Sequence, residues 1–155
     1  MSKKKVMKNP QTIIIKKLGK DESRLAQEAV ILFLDEGEKP ISIEKMINLL
    51  NQENFYFVVA MKGEEILGRL YGYVFELPKD NGKEMYLYEI DVDKKYQRQG
   101  VARELIKFTL ELSKCQGVDC IFVGTEAENI PAQRLYASTG AIFEGNLPHY
   151  IYNLS

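Results

Sequence analysis

Tryptophan is absent from this 155-residue chain, histidine occurs once and cysteine twice. So few histidines and cysteines argue against a structural zinc site, which needs four clustered nitrogen and sulfur ligands. Cys115 and Cys120 have no histidine near them in sequence, so a covalent cysteine nucleophile is not indicated. They read as packing residues, with a buried reduced pair favoured over a disulfide. No apolar run is long enough to span a bilayer, and the opening MSKKKVMKNP lacks the apolar stretch of a signal peptide. A cytoplasmic location is therefore the expectation. Neither sign of charge is in excess. The net charge of −1 gives no pull of the whole chain toward nucleic acid or an anionic membrane. Lys3, Lys4, Lys5 and Lys8 concentrate positive charge at one end, which leaves the remainder more acidic than the total.

What is present is an ordinary globular composition, 45% hydrophobic and 28% charged, at a length suited to one domain with a sizeable core. No repeat, linker or low-complexity segment divides it. A single domain over 1–155 is expected, with residues 1–10 as a flexible basic arm.

The stretch EMYLYEIDVDKKYQRQGVA, residues 84–102, organises the rest. Over 85–92 the pattern alternates, which predicts a strand. Tyr86, Tyr88, Ile90 and Val92 fall on one face, and Met85, Leu87, Glu89 and Asp91 on the other. Two carboxylates thus share a side where the strand ends. QRQGVA, residues 97–102, follows and opens an amphipathic helix. Gly100 permits a tight turn, and free amides at a helix start suit an anion, with Arg98 and Arg103 adding positive charge. An ordinary solvated turn would also carry glutamine and arginine. The pattern matches neither the dinucleotide fingerprint GxGxxG nor the Walker loop, which moves NAD and ATP chemistry down.

Elsewhere, residues 12–18 predict a first strand, and Asp21 is placed to cap a helix running to about Leu34. A second helix is expected over 42–50. Strands follow at 55–61 and 65–76 around a Lys62–Gly63–Glu64 turn, with Gly68 and Gly72 easing a bend or bulge. A helix from about 99 to 116 turns Ala102, Leu105, Phe108, Thr109, Leu112 and Cys115 toward the sheet. Then come a short strand at 120–125, a helix from near Pro131 to Gly140, and terminal strands at 141–144 and 149–154. The order is β-α-α-β-β-β-α-β-α-β-β, an α/β sheet wrapped by about four helices.

Two motifs together resemble the GNAT N-acyltransferase superfamily. Its acetyl-CoA loop, Gln/Arg-x-x-Gly-x-Gly/Ala, is met by Gln97, Gly100 and Ala102. Its later segment, an Asn followed by Ala-x-x-Leu-Tyr-x-x-x-Gly, is met by Asn129, Ala132, Leu135, Tyr136 and Gly140. The likeness runs from about residue 12 to 154 and implies a mixed, mostly antiparallel sheet with acetyl-CoA as cofactor. Within the superfamily the chain is most similar to aminoglycoside 3-N-acetyltransferases. It departs from them in carrying charge at Asp91 and in placing Asn129–Ile130 where paired aspartates would precede the proline.

The resemblance implies direct acetyl transfer to a primary amine, most specifically the 3-amino group of an aminoglycoside antibiotic, and so a resistance activity. Glu89 is the first choice for the base that receives the amine proton and Asp91 the second, since adjacent carboxylates raise one another's proton affinity. Both also fit an acidic, solvent-facing strand end. Backbone groups of Ile90 to Val92 resemble those that pair with the pantetheine arm, and Gln97, Arg98, Gln99, Gly100, Val101, Ala102 and Arg103 would wrap the pyrophosphate. Tyr136 matches the acid that protonates the departing thiolate, against a half-buried core tyrosine. Asn129 either bonds the cofactor arm or caps its helix. Glu126, Glu128 and His149 are the remaining candidates for holding a cationic acceptor, although a lone histidine is more often structural. Rival acceptors are a polyamine, an amino-sugar metabolite or a protein or peptide amine; a non-catalytic CoA-binding sensor is the rival from another class. The partners expected are a small-molecule amine and a second copy of the chain paired through terminal strands, with no nucleic acid and no membrane. The nine tyrosines and seven phenylalanines lack the basic groove that base stacking needs.

Overall fold

A computed structural model describes residues 12–146 and 149–154; the basic arm expected over 1–10 lies outside them. The described chain forms two compact units that divide between Gly124 and Thr125.

The first unit is a five-stranded sheet in the order β1-β2-β3-β4-β5. Its strands are β1 (Ile13–Lys17), β2 (Phe55–Lys62), β3 (Glu65–Glu76), β4 (Lys83–Val92) and β5 (Cys120–Phe122). The first four pair antiparallel, and β5 joins β4 in parallel. Three helices accompany the sheet: α1 (Ser23–Leu32), α2 (Ile43–Leu50) and α3 (Val101–Cys115). Position in the sheet follows composition. FYFVVA is apolar on both faces and becomes the fully buried heart of β2.

One face of the sheet packs on α1 and α2. There Phe55, Phe57 and Val59 meet Ala26, Ala29, Met46 and Leu50, with Tyr71 and Tyr73 packed alongside. α3 lies under the opposite face, burying Val101, Leu105, Ile106, Thr109 and Ser113; the Ser113 hydroxyl lies 3.4 Å from Met85 Sδ. The small hydroxyls let helix and sheet approach closely. Thr109 satisfies its own hydroxyl by donating to the Leu105 carbonyl at 2.8 Å.

Local chemistry sets the helix starts. Ser42 caps α2, its hydroxyl accepting from the Lys45 amide at 3.2 Å. Asp21 does not cap α1 as the sequence suggests. It lies inside a short 3-10 turn, Lys20–Glu22, and Glu22 is the residue that engages the turn. Its carboxylate accepts from the Gly19 amide at 3.1 Å and pairs with Lys16 at 2.6 Å. The cysteines are free but exposed rather than buried. Cys115 ends α3 on its outer side, where Ser113 takes the buried position.

The second unit contains one helix, α4 (Ile130–Ser138). Its C-terminus closes with the Ala141 amide donating to the Tyr136 carbonyl at 3.0 Å and the Gly140 amide to the Ala137 carbonyl at 3.2 Å. That double bond pattern accounts for the glycine at 140. The strands expected at 141–144 and 149–154 are not formed: residues 141–146 and 149–154 have no regular structure. Their alternating apolar residues favour extension, but a strand needs a ladder partner for its backbone groups, and none among the described residues pairs with them. No helix among the described residues is long and apolar enough to cross a membrane.

Candidate functional site

A bulge in β4 shapes the site. Along the β3–β4 ladder, Tyr73 pairs with Tyr86 and Gly72 with Leu87, but Tyr71 pairs with Glu89. Tyr88 is the extra residue on the β4 side. The unbroken alternation in the sequence therefore assigns the faces wrongly. Glu89 and Asp91 do share a side, as expected, but not with Met85 and Leu87. The inserted residue turns them onto the face of Tyr86, opposite Tyr71 and Arg69. Gly72 makes this possible. A Cβ there would lie 2.5 Å from the Tyr86 carbonyl oxygen and 2.6 Å from Met85 Cε.

Sequence reasoning missed Arg69. The residue is 4% exposed, and its Nη2 lies 2.9 Å from Glu89 Oε2 and 3.1 Å from Asp91 Oδ2. The rings of Phe33 and Tyr71 sit 5.5 and 5.3 Å from its Cζ. Arg69 Nε is buried without a hydrogen-bond partner. Such an orphan donor costs about 1–3 kcal/mol. Two ring contacts of about 0.5–2 kcal/mol each are of the same order. The pairing with two carboxylates is what makes a charge tolerable at this depth.

The carboxylates themselves remain accessible. Glu89 and Asp91 keep 44% and 40% of their side-chain surface, enough for a ligand to reach them. Burial, outweighing the neighbouring Arg69 charge, pushes the Asp91 carboxyl above its usual range, with Glu89 and then Asp35 adding to the rise. The Tyr71 hydroxyl hydrogen-bonds to Glu89. Burial first, and the Glu89 charge second, hold that phenol far above its ordinary value, so it is a donor throughout the working pH range. Tyr88 is 56% exposed. It stacks on Tyr71 at 5.5 Å and meets Tyr86 edge-on at 5.6 Å.

Beyond the carboxylates the strand runs into a built turn. β5 pairs only with Glu84, Met85 and Tyr86, so on that side β4 is an open edge from residue 87 to 92 among the described residues. Asp93 Oδ1 accepts from the Lys95 amide at 2.9 Å. Gln97 Nε2 donates to the Val92 carbonyl at 3.1 Å, and Gln99 Nε2 to the Lys95 carbonyl at 2.9 Å. The two glutamines thus brace the turn with their own side chains. Arg98 and Gly100 both take positive φ, +60° and +84°, and no side chain caps α3. Backbone bent in this way at an uncapped helix start gathers N–H groups into an anion cradle. The cradle and the open strand edge fit a pyrophosphate with an extended amide-bearing arm. Replacing Gly100 by Val forces a branched side chain into the left-handed region. Acetyl-CoA affinity is expected to fall about tenfold, the equivalent of roughly 1–2 kcal/mol of backbone strain, measured by calorimetric titration.

The other residues singled out from sequence belong to the second unit. Asn129 Oδ1 accepts from the Ala132 amide at 3.2 Å, so it caps α4. Gln133 Nε2 donates to the Ala127 carbonyl at 2.7 Å and holds the preceding turn. Glu126 and Glu128 are exposed within that turn, Tyr136 lies on α4, and His149 is exposed in irregular chain rather than in a strand.

The model of the Acetyltransferase (GNAT) family matches residues 23–141. The chain belongs to this family, whose acyl donor is acetyl-CoA. Among curated proteins it is similar to N-acetyltransferase 8 of Homo sapiens, 28% identical over 91 residues, which is 59% of this chain and 40% of that protein. It is also similar to the chloroplastic GCN5-related N-acetyltransferase 6 of Arabidopsis thaliana, 26% identical over 100 residues, 63% of this chain and 34% of that one. The matched stretch thus spans well under half the length of these relatives. Among solved structures it resembles an aminoglycoside acetyltransferase from an uncultured soil metagenomic sample, in complex with sisomicin. That likeness has a TM-score of 0.87 and 28% identity, covering 92% of this chain and 97% of that one.

Proposed function

We propose that the chain is an N-acetyltransferase that moves the acetyl group of acetyl-CoA directly to a primary amine, and that the amine is the 3-amino group of an aminoglycoside. The observation that carries this reading is the accessible Glu89–Asp91 pair, set on the strand that runs directly into the anion cradle of α3. Two carboxylates against one guanidinium leave the site negative, which suits a cationic amine. The 28% identity to an aminoglycoside acetyltransferase supports the drug as acceptor.

Acetyl-CoA supplies an activated thioester when bound. The chain supplies the rest. The α3 cradle and the open edge of β4 hold the donor, and Glu89 receives the proton that an ammonium must lose before it can attack. Tyr71 and Arg69, both donating to Glu89, keep its carboxylate oriented. Asp91 stands beside it as the second acceptor of the proton. The phenol of Tyr136 is proposed as the acid that protonates the departing thiolate. A homodimer remains part of the proposal.

The test is to incubate the protein with acetyl-CoA and aminoglycosides that carry or lack a free 3-amino group, alongside polyamines and short peptides. Mass and NMR spectra then locate the new acetyl group. Acetylation confined to the 3-amino position supports the specific reading. Acetylated polyamines or peptides would replace the acceptor and keep the chemistry.

A further inference from the structure

We propose that Arg69 is a positioning residue for the proton-accepting pair. It clamps Glu89 and Asp91 to one point on the sheet and holds the acceptor end of the site at a single net negative charge. The proposal rests on the acetyl-transfer reading above.

Three observations carry it. The guanidinium reaches both carboxylates from a single nitrogen, at 2.9 and 3.1 Å. It is nearly fully buried and wedged between Phe33 and Tyr71, so it cannot swing away as a surface arginine does. Its register opposite Asp91, with Tyr71 opposite Glu89, exists only because of the bulge at Tyr88. Bulge and arginine are thus one device. The bulge delivers the carboxylates to this face, and the arginine fixes them there.

The charge consequence follows. Two carboxylates close enough to share one nitrogen disfavour each other's ionisation, and a cation between them restores it. At Asp91 the Arg69 charge works against burial and the Glu89 charge, both of which raise that carboxyl. The groups facing it are Arg69 and Tyr71 from β3, Tyr88 from β4, and Asp35 from the chain after α1, which acts on Asp91 electrostatically. Of these Arg69 is the one cation. Removing it takes away the one charge that lowers the proton affinity of Asp91, and the acidic limb of the pH–rate profile moves to higher pH.

Arg69→Met and Arg69→Lys are compared with the unaltered protein by kcat/KM for the amine across pH, with acetyl-CoA affinity and Tm as controls. Arg69→Met is expected to shift the acidic limb upward by about one pH unit or more and to lower kcat, with acetyl-CoA affinity unchanged. Arg69→Lys, which keeps the charge but not the shared contact, is expected to hold the limb near its original pH while kcat still falls. A folded Arg69→Met protein with the original limb overturns the proposal, and so does an equal shift in both variants. Should Arg69→Met fail to fold, guanidinium 15N spectra of the unaltered protein decide. Slowly exchanging Nη protons that speed up in Glu89→Gln support the clamp; free exchange in both overturns it. This arm needs no turnover, so a failure of the acetyl-transfer reading is distinguished from a failure of the clamp.

Discussion

Glu89→Gln is expected to lower kcat about a hundred- to ten-thousandfold, the range for loss of a general base, while acetyl-CoA affinity stays within about twofold of its original value because the cradle is untouched. The amide is nearly the same shape and still accepts from Tyr71, so the strand and bulge persist. What is lost is the capacity to take a proton. Steady-state kinetics with a saturating amine, beside calorimetric titration of acetyl-CoA, separates the two quantities. Asp91→Asn is expected to cost less, because Glu89 keeps its contacts with both Arg69 and Tyr71. If Asp91→Asn proves the more damaging, the roles within the pair are exchanged. If neither substitution lowers kcat, the carboxylates are a solvated strand end.

Gly72→Ala is expected to cost about 1–3 kcal/mol of stability, as for an overpacked core, which corresponds to a fall of roughly 3–10 °C in Tm for a chain of this length. The added methyl meets the Tyr86 carbonyl oxygen at 2.5 Å. A backbone oxygen cannot rotate aside, so β3 and β4 must part locally or the bulge must move. Loss of the bulge, which slips the register beyond it by one residue, would turn Glu89 and Asp91 to the α3 face, away from Arg69. Activity is therefore expected to fall more than the change in stability explains. Calorimetric melting and amine kinetics on one preparation check both parts. An alanine protein with unaltered Tm and unaltered rate would show that the bulge does not set the site.

The strands β2 to β4 and the turn after them are legible in the sequence because their signals are local. Alternation over 85–92, the Gly63 turn and QRQGVA each report on their own neighbourhood. The bulge is written on the other strand, as Gly72, and only the pairing register reveals which β4 residue it displaces. Arg69 is illegible for a related reason. Nothing between Gly68 and Leu70 marks it as buried, and its burial follows from carboxylates some twenty positions later in the chain. The exposed cysteines and the unformed terminal strands reflect the same limit. Apolar character suggests where a residue prefers to be, whereas burial and pairing depend on what else arrives.

The most direct measurement is the initial rate of thiol release from acetyl-CoA by the unaltered protein, with and without a saturating aminoglycoside bearing a free 3-amino group, followed as pH is lowered. The account predicts release that depends on the amine and declines as the pH falls. Tight binding of acetyl-CoA with no amine-dependent release at any pH, from this or any other amine, would contradict it and leave a protein that senses the cofactor rather than uses it.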